Sequence, residues 1–364
     1  MRILTVVGTR PELIRLSVLI KKLDVLCDKH ILVHSGQNFT HSLNGVFFQE
    51  LGIRKPDYEI QNNGASLGGQ LSNLFLELET ILKNEKPDKV LILGDTNSGL
   101  SAILAERHRI PVVHMEAGNR CFDLNVPEEI NRKIIDAISS VNLVYTPYSK
   151  ANLLREGVNP SKIIICGNPI YEVIKNHEED IDHSQIMDVL NLSKQDYFLA
   201  TIHRAENVDV HGNLQSIINA LNTLADNYGK RIIFSTHPRT KSKLMSQTKF
   251  VTHPLIEFHE PFGFFDFIKL EKNALCVLTD SGTVQEECCI FKVPTVTVRN
   301  STERPETVDC GSNIVSGLID NRIAKAVDVV LSRETLWECP KEYLDTNVSN
   351  KVINILFGGA NIVY

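Results

Sequence analysis

Short apolar runs alternate with longer stretches of helical length along the first half of the chain. These runs are rich in β-branched residues and lie at residues 3–7, 31–34, 90–93, 112–115, 143–146 and 163–166. Strands that are buried on both faces are continuously apolar, and strands that alternate with helices pair in parallel. The pattern therefore predicts one doubly wound α/β domain in the first half.

The same alternation begins again after a polar stretch at residues 171–195. Its apolar runs lie at residues 197–202, 232–236, 256–258, 274–278 and 295–298. A chain of 364 residues exceeds the size at which one core usually keeps growing. We predict two Rossmann-like domains, residues 1–168 and 169–345, and a C-terminal helix and tail, residues 346–364, that packs back on the first domain. Since ligands of open parallel sheets bind beyond the carboxyl ends of the strands, we expect the active site in the cleft between the domains.

Charge and cysteine usage narrow the class of protein. The net charge of −6 gives no general attraction for nucleic acid or for an anionic membrane. No segment approaches the roughly 20 apolar residues that span a bilayer, and the first apolar run is too short for a signal peptide. The eight cysteines show no spacing typical of a zinc site, and several lie in apolar runs, as reduced thiols do. We predict a cytoplasmic protein without a metal and without a nucleic-acid or membrane partner.

The strongest candidate for a ligand site is the segment TDSGTVQEE, residues 279–287, which follows an apolar run. Backbone N–H groups at a helix start, together with the helix dipole, favour a phosphate there. The two glutamates can then hold sugar hydroxyls, a combination typical of a nucleotide-sugar site. An ordinary strand followed by an N-capped helix gives the same pattern, so this segment alone leaves both interpretations open.

Three carboxylates of the first half follow predicted strands or lie in the next loop: Asp95, Glu116 and Glu128. If they converge on one ligand, their like charges raise pKa values and allow acid/base chemistry near neutral pH. Asp95 is also compatible with a helix N-cap, and Glu128 with a charge pair on a solvated helix. His203 follows the first strand of the second half, where it can stabilise a diphosphate or be a structural histidine. No GxGxxG segment occurs, so no nicotinamide cofactor is indicated.

Seven motifs, taken together and in order, resemble the non-hydrolysing UDP-N-acetylglucosamine 2-epimerase family. They are GTRPE at 8–12, GDT at 94–96, HMEAG at 114–118, PEEINR at 127–132, HRAEN at 203–207, TDSGTVQEE at 279–287 and TERPE at 302–306. The resemblance implies a two-domain fold of the glycosyltransferase-B type, a homodimer, and inversion of C2 of a UDP-amino sugar without NAD or metal. UDP leaves C1 as a proton leaves C2, and the resulting 2-acetamidoglucal is protonated on the opposite face as UDP returns.

The resemblance also assigns residues by matched position. Asp95, Glu116 and Glu128 become the acid/base carboxylates, and His203 becomes the partner of the diphosphate. Substrate binding is assigned to Arg10, Arg15, Arg132, Phe267, Ser281, Gly282, Thr283, Glu287 and Arg304. The implied role is the synthesis of precursors for surface polysaccharides such as capsule or O-antigen.

Three departures from the family's main branch leave the identity of the sugar open. Arg15 stands where that branch has Lys, the loop at residues 118–128 is shorter, and Asn38 replaces a histidine. The first two features resemble the branch that forms UDP-N-acetyl-L-fucosamine, whereas residues 279–287 and 302–306 fit the main branch. Asn38 and Thr40 stand where main-branch enzymes contact a regulatory substrate molecule, so that regulation is not expected here. A glycosyltransferase and a hydrolysing 2-epimerase are the alternative functions.

Overall fold

A computed structural model describes residues 1–36, 48–61, 66–210, 212–246, 250–334 and 336–358. The chain divides into two compact units. The first unit contains residues 1–176 and the chain from Lys341 onward, and the second unit contains residues 177–340. Asn38 and Thr40, which bear on the predicted loss of regulation, lie outside the described residues. Within those residues, no helix combines the length and the apolar character needed to cross a membrane.

The first unit contains a parallel sheet. Its described strands are β1 (Arg2–Val7), β2 (Lys29–His34), β3 (Tyr58–Glu59), β4 (Lys89–Leu93), β5 (Val112–Ala117), β6 (Val141–Val144) and β7 (Ile163–Ile165), in the order β3-β2-β1-β4-β5-β6-β7. Its helices before residue 177 are α1 (Arg10–Leu26), α2 (Leu67–Glu85), α3 (Ser101–Arg107), α4 (Pro127–Ile138), α5 (Pro147–Arg155) and α6 (Ile170–Asn176). A capping box between Thr9 and Glu12, with proline in the first turn, starts α1 directly after β1.

The second unit repeats this design. Its strands are β8 (Tyr197–Thr201), β9 (Arg231–Ser235), β10 (Ile256–His259), β11 (Cys276–Thr279), β12 (Thr295–Thr297) and β13 (Asn313–Val315), in the order β10-β9-β8-β11-β12-β13. Its helices are α7 (Glu178–His183), α8 (Ile186–Val189), α9 (Ala205–Val208), α10 (Asn213–Tyr228), α11 (Pro238–Ser246), α12 (Phe264–Asn273), α13 (Gly282–Phe291), α14 (Pro305–Asp309) and α15 (Asp320–Leu331).

The apolar runs of the sequence are continuous because both faces of each sheet are covered. In β8, Phe198 and Ala200 belong to one buried cluster, whereas Tyr197 and Leu199 belong to another. Since successive side chains of a strand point to opposite faces, the sheet separates two cores. The predicted α/β fold with two doubly wound Rossmann-like domains is confirmed.

Strand order reverses once in each sheet, and this reversal positions the motifs. In the first sheet β1 pairs with both β2 and β4, and in the second sheet β8 pairs with both β9 and β11. A crevice for ligands forms at the carboxyl ends of the strands where the order reverses. The motifs at 8–12 and 94–96 follow β1 and β4, and those at 203–207 and 279–287 follow β8 and β11.

The division between the units differs from the boundaries predicted at residues 168 and 345. Helix α6 belongs to the first unit, where it packs on α1, and the chain returns to that unit at residue 341. The last helix, α16 (Val348–Phe357), also packs on α1. Glu172 of α6 accepts hydrogen bonds from the backbone and hydroxyl of Ser349. These contacts hold α6 in the first unit together with the C-terminal helix.

Lys89 of β4 secures the end of α16. Its ammonium group donates to the carbonyl oxygens of Leu356, at 2.6 Å, and Gly358, at 2.9 Å. The last carbonyls of a helix have no partner within the helix, and a cation there also opposes the negative end of the dipole. Lys89 therefore replaces the missing backbone donors.

Replacing Lys89 with methionine should lower the free energy of unfolding by about 1–3 kcal/mol, because buried carbonyl oxygens lose their donors. Urea unfolding followed by circular dichroism measures the change. Lys325→Met, at an exposed position of α15, is the matched control and should change stability by less than about 0.5 kcal/mol. Equal stabilities of the two variants would contradict this role for Lys89.

Candidate active site

Glu116, the penultimate residue of β5, has a backbone conformation that is unusual for its residue type. Its φ angle is +68°, in the left-handed region, and the pairing of β5 with β6 shifts register between Met115 and Ala117. A bulge of this kind redirects a side chain, and a residue other than glycine held in this region marks a constrained position. The carboxylate of Glu116 is 11% exposed.

An ion pair with Arg15 holds the carboxylate of Glu116. Its Nη1 lies 2.8 Å from Glu116 Oε2 and 3.2 Å from the hydroxyl of Tyr145, and its side chain is 1% exposed. Asn119 donates to the other oxygen of Glu116 at 3.3 Å. The resemblance implied that Arg15 binds substrate, but the structure buries its guanidinium against a protein carboxylate. We infer that Arg15 positions Glu116.

Asp95 lies in the loop after β4, which approaches Glu116 of the neighbouring strand β5. A Cβ atom added to Gly94 would be 3.9 Å from Glu116 Oε2, so the loop that carries Asp95 borders that carboxylate. Asp95 Oδ2 accepts hydrogen bonds from Arg132 Nε at 2.7 Å and Nη2 at 2.6 Å. Arg132, another predicted substrate ligand, is buried and also contacts Glu129 at 2.9 Å. Its contacts in this structure orient Asp95.

Glu128 occupies the first turn of α4, directly after Pro127, and is partly exposed. It lies four residues before Arg132, so the two side chains share one face of the helix. The structure thus places the loop of Asp95 next to Glu116, and Glu128 on the helix face that carries Arg132, the partner of Asp95. Sequence spacing alone did not distinguish this arrangement from a solvated charge pair.

A buried network centred on His114 holds the loops that carry these carboxylates. His114 Nε2 lies 2.9 Å from the carbonyl oxygen of Gly94, and its Nδ1 lies 2.8 Å from Asp136. Asp136 also accepts from the backbone N–H of Gly118 and contacts Arg120 at 2.7 Å. Burial opposes ionisation of Asp136, but His114 and Arg120 outweigh burial and lower its pKa. Asp136 was not predicted, because it lies inside a helix and outside every motif.

Glu12 joins the loops that follow β1 and β4. It is buried and accepts hydrogen bonds from the backbone of Gly8 and Thr9 and from the hydroxyl of Thr96, at 2.7 Å. Burial raises the pKa of Glu12 to about 7, although these hydrogen bonds oppose the shift. Arg10, a predicted substrate ligand, lies at the start of α1 beside this junction, and burial lowers its pKa.

In the second unit, Asp280 orients His203. The fully buried carboxylate of Asp280 accepts from the backbone N–H groups of His203 and Arg204 and from the side chain of Asn207. His203 Nδ1 lies 3.2 Å from Asp280, and its ring stacks at 5.6 Å on His237 from the loop after β9. A carboxylate on one ring nitrogen fixes the orientation of the imidazole. The His203 side chain is 38% exposed, so it can reach a ligand.

The start of α13 has the features of an anion site. Ser281 is its N-cap residue, and the Ser281 side chain forms no capping hydrogen bond. A Cβ atom on Gly282 would lie 2.6 Å from Glu303 Oε1, so a side chain here would displace the Glu303 carboxylate. Glu303 itself is held by Arg299 at 2.7 Å and Arg204 at 3.1 Å. The positive end of the helix, with the partly exposed Ser281 and Thr283, therefore favours a phosphate.

The other predicted ligands of this unit have buried or half-buried side chains. Arg304 is buried and forms an ion pair with Glu286 of α13. Glu287 is buried beside Glu271 of α12, whose pKa is raised by burial and by the charge of Glu287. Phe267 is half-buried against the apolar cluster under α13. Asp280, Glu303 and Glu271 were absent from the predicted set, although the first two lie inside the motifs that suggested the site.

The comparisons with known proteins identify the family. A family model described as UDP-N-acetylglucosamine 2-epimerase matches residues 26–357. A UDP-N-acetylglucosamine 2-epimerase from Methanocaldococcus jannaschii is 41% identical over 348 residues, which cover 93% of this chain and 95% of that protein. This chain belongs to the UDP-N-acetylglucosamine 2-epimerase family. The predicted family and the prediction of an isomerase are confirmed.

A solved structure and a second relative bear on the identity of the substrate. A crystal structure of the M. jannaschii UDP-GlcNAc 2-epimerase in complex with UDP-GlcNAc and UDP has a TM-score of 0.93 at 39% identity and covers 99% of this chain and 100% of that one. A UDP-2,3-diacetamido-2,3-dideoxy-D-glucuronate 2-epimerase from Pseudomonas aeruginosa is 35% identical over 361 residues, 98% of this chain and 99% of that protein. Family membership therefore leaves the sugar open.

Glu12→Gln should flatten the pH dependence of stability. A folded-state pKa of about 7 means that the folded protein holds a proton that the unfolded chain releases near pH 4.5, so stability falls as pH rises between these values. The contribution of Glu12 to this fall is up to about 3 kcal/mol in the wild type and absent in the variant, whose amide does not titrate. Urea unfolding at pH 5, 6, 7 and 8 measures it, with the exposed Glu59→Gln as control. If stability depends on pH equally in Glu12→Gln and in the wild type, Glu12 does not have the raised pKa.

Proposed function

We propose that this chain inverts C2 of a UDP-N-acetylhexosamine, interconverting UDP-N-acetylglucosamine and UDP-N-acetylmannosamine. The observation that carries the proposal is Glu116 in a left-handed conformation, fixed by Arg15 and adjacent to the loop of Asp95. Strain of this kind is retained where a side chain must be aimed. Membership of the family and the similarity to the complex with UDP-GlcNAc and UDP support the choice of substrate.

The proton at C2 is weakly acidic, so its removal needs a positioned base and a departing group. In the proposed reaction UDP leaves C1 as a carboxylate removes the C2 proton, which gives a 2-acetamidoglucal. A second carboxylic acid then delivers a proton to the other face as UDP returns to C1. Asp95 and Glu116 are proposed as the two carboxylates, because the loop that carries Asp95 borders Glu116, and Glu128 is the third candidate. Fixed side chains serve such a reaction because no reorientation is needed at the moment of proton transfer.

The second unit is assigned to the UDP group. Charge develops on the diphosphate as the C1–O bond breaks, and preorganised donors and dipoles stabilise it. The start of α13 supplies backbone N–H groups, and His203, oriented by Asp280, supplies a side-chain donor. Glu287 is proposed to accept hydrogen bonds from ribose hydroxyls, and Phe267 to lie near the uracil.

A second candidate is a 2-epimerase for a modified UDP-amino sugar. The P. aeruginosa relative, at 35% identity and nearly full coverage, is a 2-epimerase for a diacetamido uronate. The loop at 118–128 and Arg15 favour a further substrate, the 6-deoxy sugar precursor of UDP-N-acetyl-L-fucosamine. A role in surface-polysaccharide synthesis, the cytoplasmic location and the homodimer stay predictions.

Incubation with UDP-N-acetylglucosamine in D₂O should place deuterium at C2 and form UDP-N-acetylmannosamine, because the C2 proton exchanges with solvent on the carboxylate. Proton NMR measures both changes. Parallel incubations with the diacetamido uronate and the 6-deoxy-L-talose-type UDP-sugars identify the preferred substrate. If one of these two UDP-sugars turns over and UDP-N-acetylglucosamine does not, that sugar replaces UDP-N-acetylglucosamine as the proposed substrate. Accumulation of free UDP with free sugar would indicate a hydrolase.

Changing Asp95, Glu116 or Glu128 to its amide should each lower kcat by about 10²-fold or more, because each amide removes a group that transfers or directs a proton. Steady-state kinetics of the epimerisation measures kcat, and circular dichroism checks the fold. Glu59→Gln, on the exposed side of β3, is the matched control and should keep wild-type activity. Wild-type turnover in all three site variants would refute the acid/base assignment.

Arg15→Met should lower kcat with little change in KM, since a residue that positions Glu116 acts on proton transfer more than on binding. Arg15→Lys keeps the charge and should recover part of the activity. A raised KM at unchanged kcat in Arg15→Met would instead make Arg15 a direct substrate ligand, as the resemblance implied.

A further inference from the structure

Three cysteines of the second unit lie together at a place that the proposed reaction does not use. Cys289 Sγ lies 3.6 Å from Cys310 Sγ and 3.8 Å from Cys339 Sγ. Cys289 is buried on α13, whereas Cys310 and Cys339 are half-buried. Cys289 is therefore the common neighbour of two thiols that a small solute can reach.

The cluster connects the two helices whose starts form the candidate UDP site. Cys289 lies two turns along α13 from Gly282, and Cys310 directly follows α14. At the other end of this pair, the Glu303 carboxylate lies against Gly282, and Arg304 is paired with Glu286. Because α13 and α14 pack directly on each other, a displacement at the thiols is transmitted to these contacts.

We propose that this cluster is a thiol-oxidation site at which Cys289 forms a disulfide with Cys310 or Cys339, and that the disulfide weakens UDP binding. The oxidant class is a hydroperoxide. A half-buried thiol attacks the O–O bond of hydrogen peroxide, which gives a sulfenic acid and one water. Cys289 then attacks that sulfur, the S–S bond forms, and a second water leaves, so two thiols and one peroxide yield one disulfide and two waters.

Bond formation requires movement. The sulfur atoms must approach from 3.6 or 3.8 Å to about 2.05 Å, the length of a disulfide bond. Since Cys289 is fixed within a buried helix, we expect the segments that carry Cys310 or Cys339 to move toward α13. A disulfide to Cys310 displaces α14 and the preceding residues 302–304, which border the start of α13.

Cys289 and Cys310 should react slowly at neutral pH. The hydrogen bond with Cys310 lowers the pKa of Cys289, but the hydrogen bond with Cys339 and burial outweigh it and raise the pKa to about 12. The hydrogen bond with Cys289 and burial also raise the pKa of Cys310. The thiolate is the nucleophile, so oxidation should accelerate as pH rises.

The test treats the full chain with hydrogen peroxide at pH 7 and pH 9. Peptide mapping without reductant should show Cys289 linked to Cys310 or Cys339, with faster formation at pH 9. Calorimetry should then show at least about a fivefold rise in the Kd for UDP, reversed by dithiothreitol. The absence of any disulfide involving Cys289, or a disulfide with unchanged UDP affinity, would overturn the proposal.

Variants separate this proposal from the proposed function on which its effect rests. Cys289→Ser should abolish both the disulfide and the change in affinity, whereas Cys27→Ser, in the first unit, should leave both intact. If Cys289→Ser fails to fold, Cys310→Ser with Cys339→Ser serves instead and should also remove the response. If the reduced wild type does not bind UDP, the proposed nucleotide site is refuted. Formation of the disulfide is still tested, because peptide mapping detects it independently of UDP binding.

Discussion

Buried carboxylates that accept backbone N–H groups hold the functional loops of both units. Each lies on a helix or loop and reaches a segment that follows a strand, so it ties two parts of the chain that the sheet alone does not connect. Removal of such a carboxylate leaves buried donors unsatisfied, at a cost of about 1–3 kcal/mol each. The carboxylates in this role are Glu12, Glu129, Asp136 and Asp280.

The fold was largely predictable because its signal is local and repeated. Continuous apolar runs follow from burial of both sheet faces, and their spacing follows from the intervening helices. The boundary between the units was not predictable in the same way. Helix α6 and the polar segment after it have similar sequence patterns. The packing of α6 on α1 and the contact of Glu172 with Ser349, from the far end of the chain, separate them.

The candidate site was predictable in position but not in its internal pairing. The motifs located the loops correctly, since parallel strands end at one edge of a sheet. A motif arginine, however, has the same local pattern whether it meets a substrate phosphate or a protein carboxylate. Arg15 and Arg132 therefore looked like ligands, and only the bulge at Glu116 and the ion pair of Asp95 show what they contact in the structure. Asp136 lies outside all motifs and had no signal that one sequence could provide.

The contacts of Lys89 and Glu172 with the last helix have a consequence for synthesis on the ribosome. The first unit contains the earliest residues of the chain, yet α16 and its hydrogen bonds to β4 and α6 come from residues after 341. When β1 to β7 of a nascent chain have already left the ribosome, the helix that contacts Lys22 and Lys89 has not yet been made. The second unit, which is continuous in sequence, is complete earlier in translation, so the unit that begins first is the last to be closed.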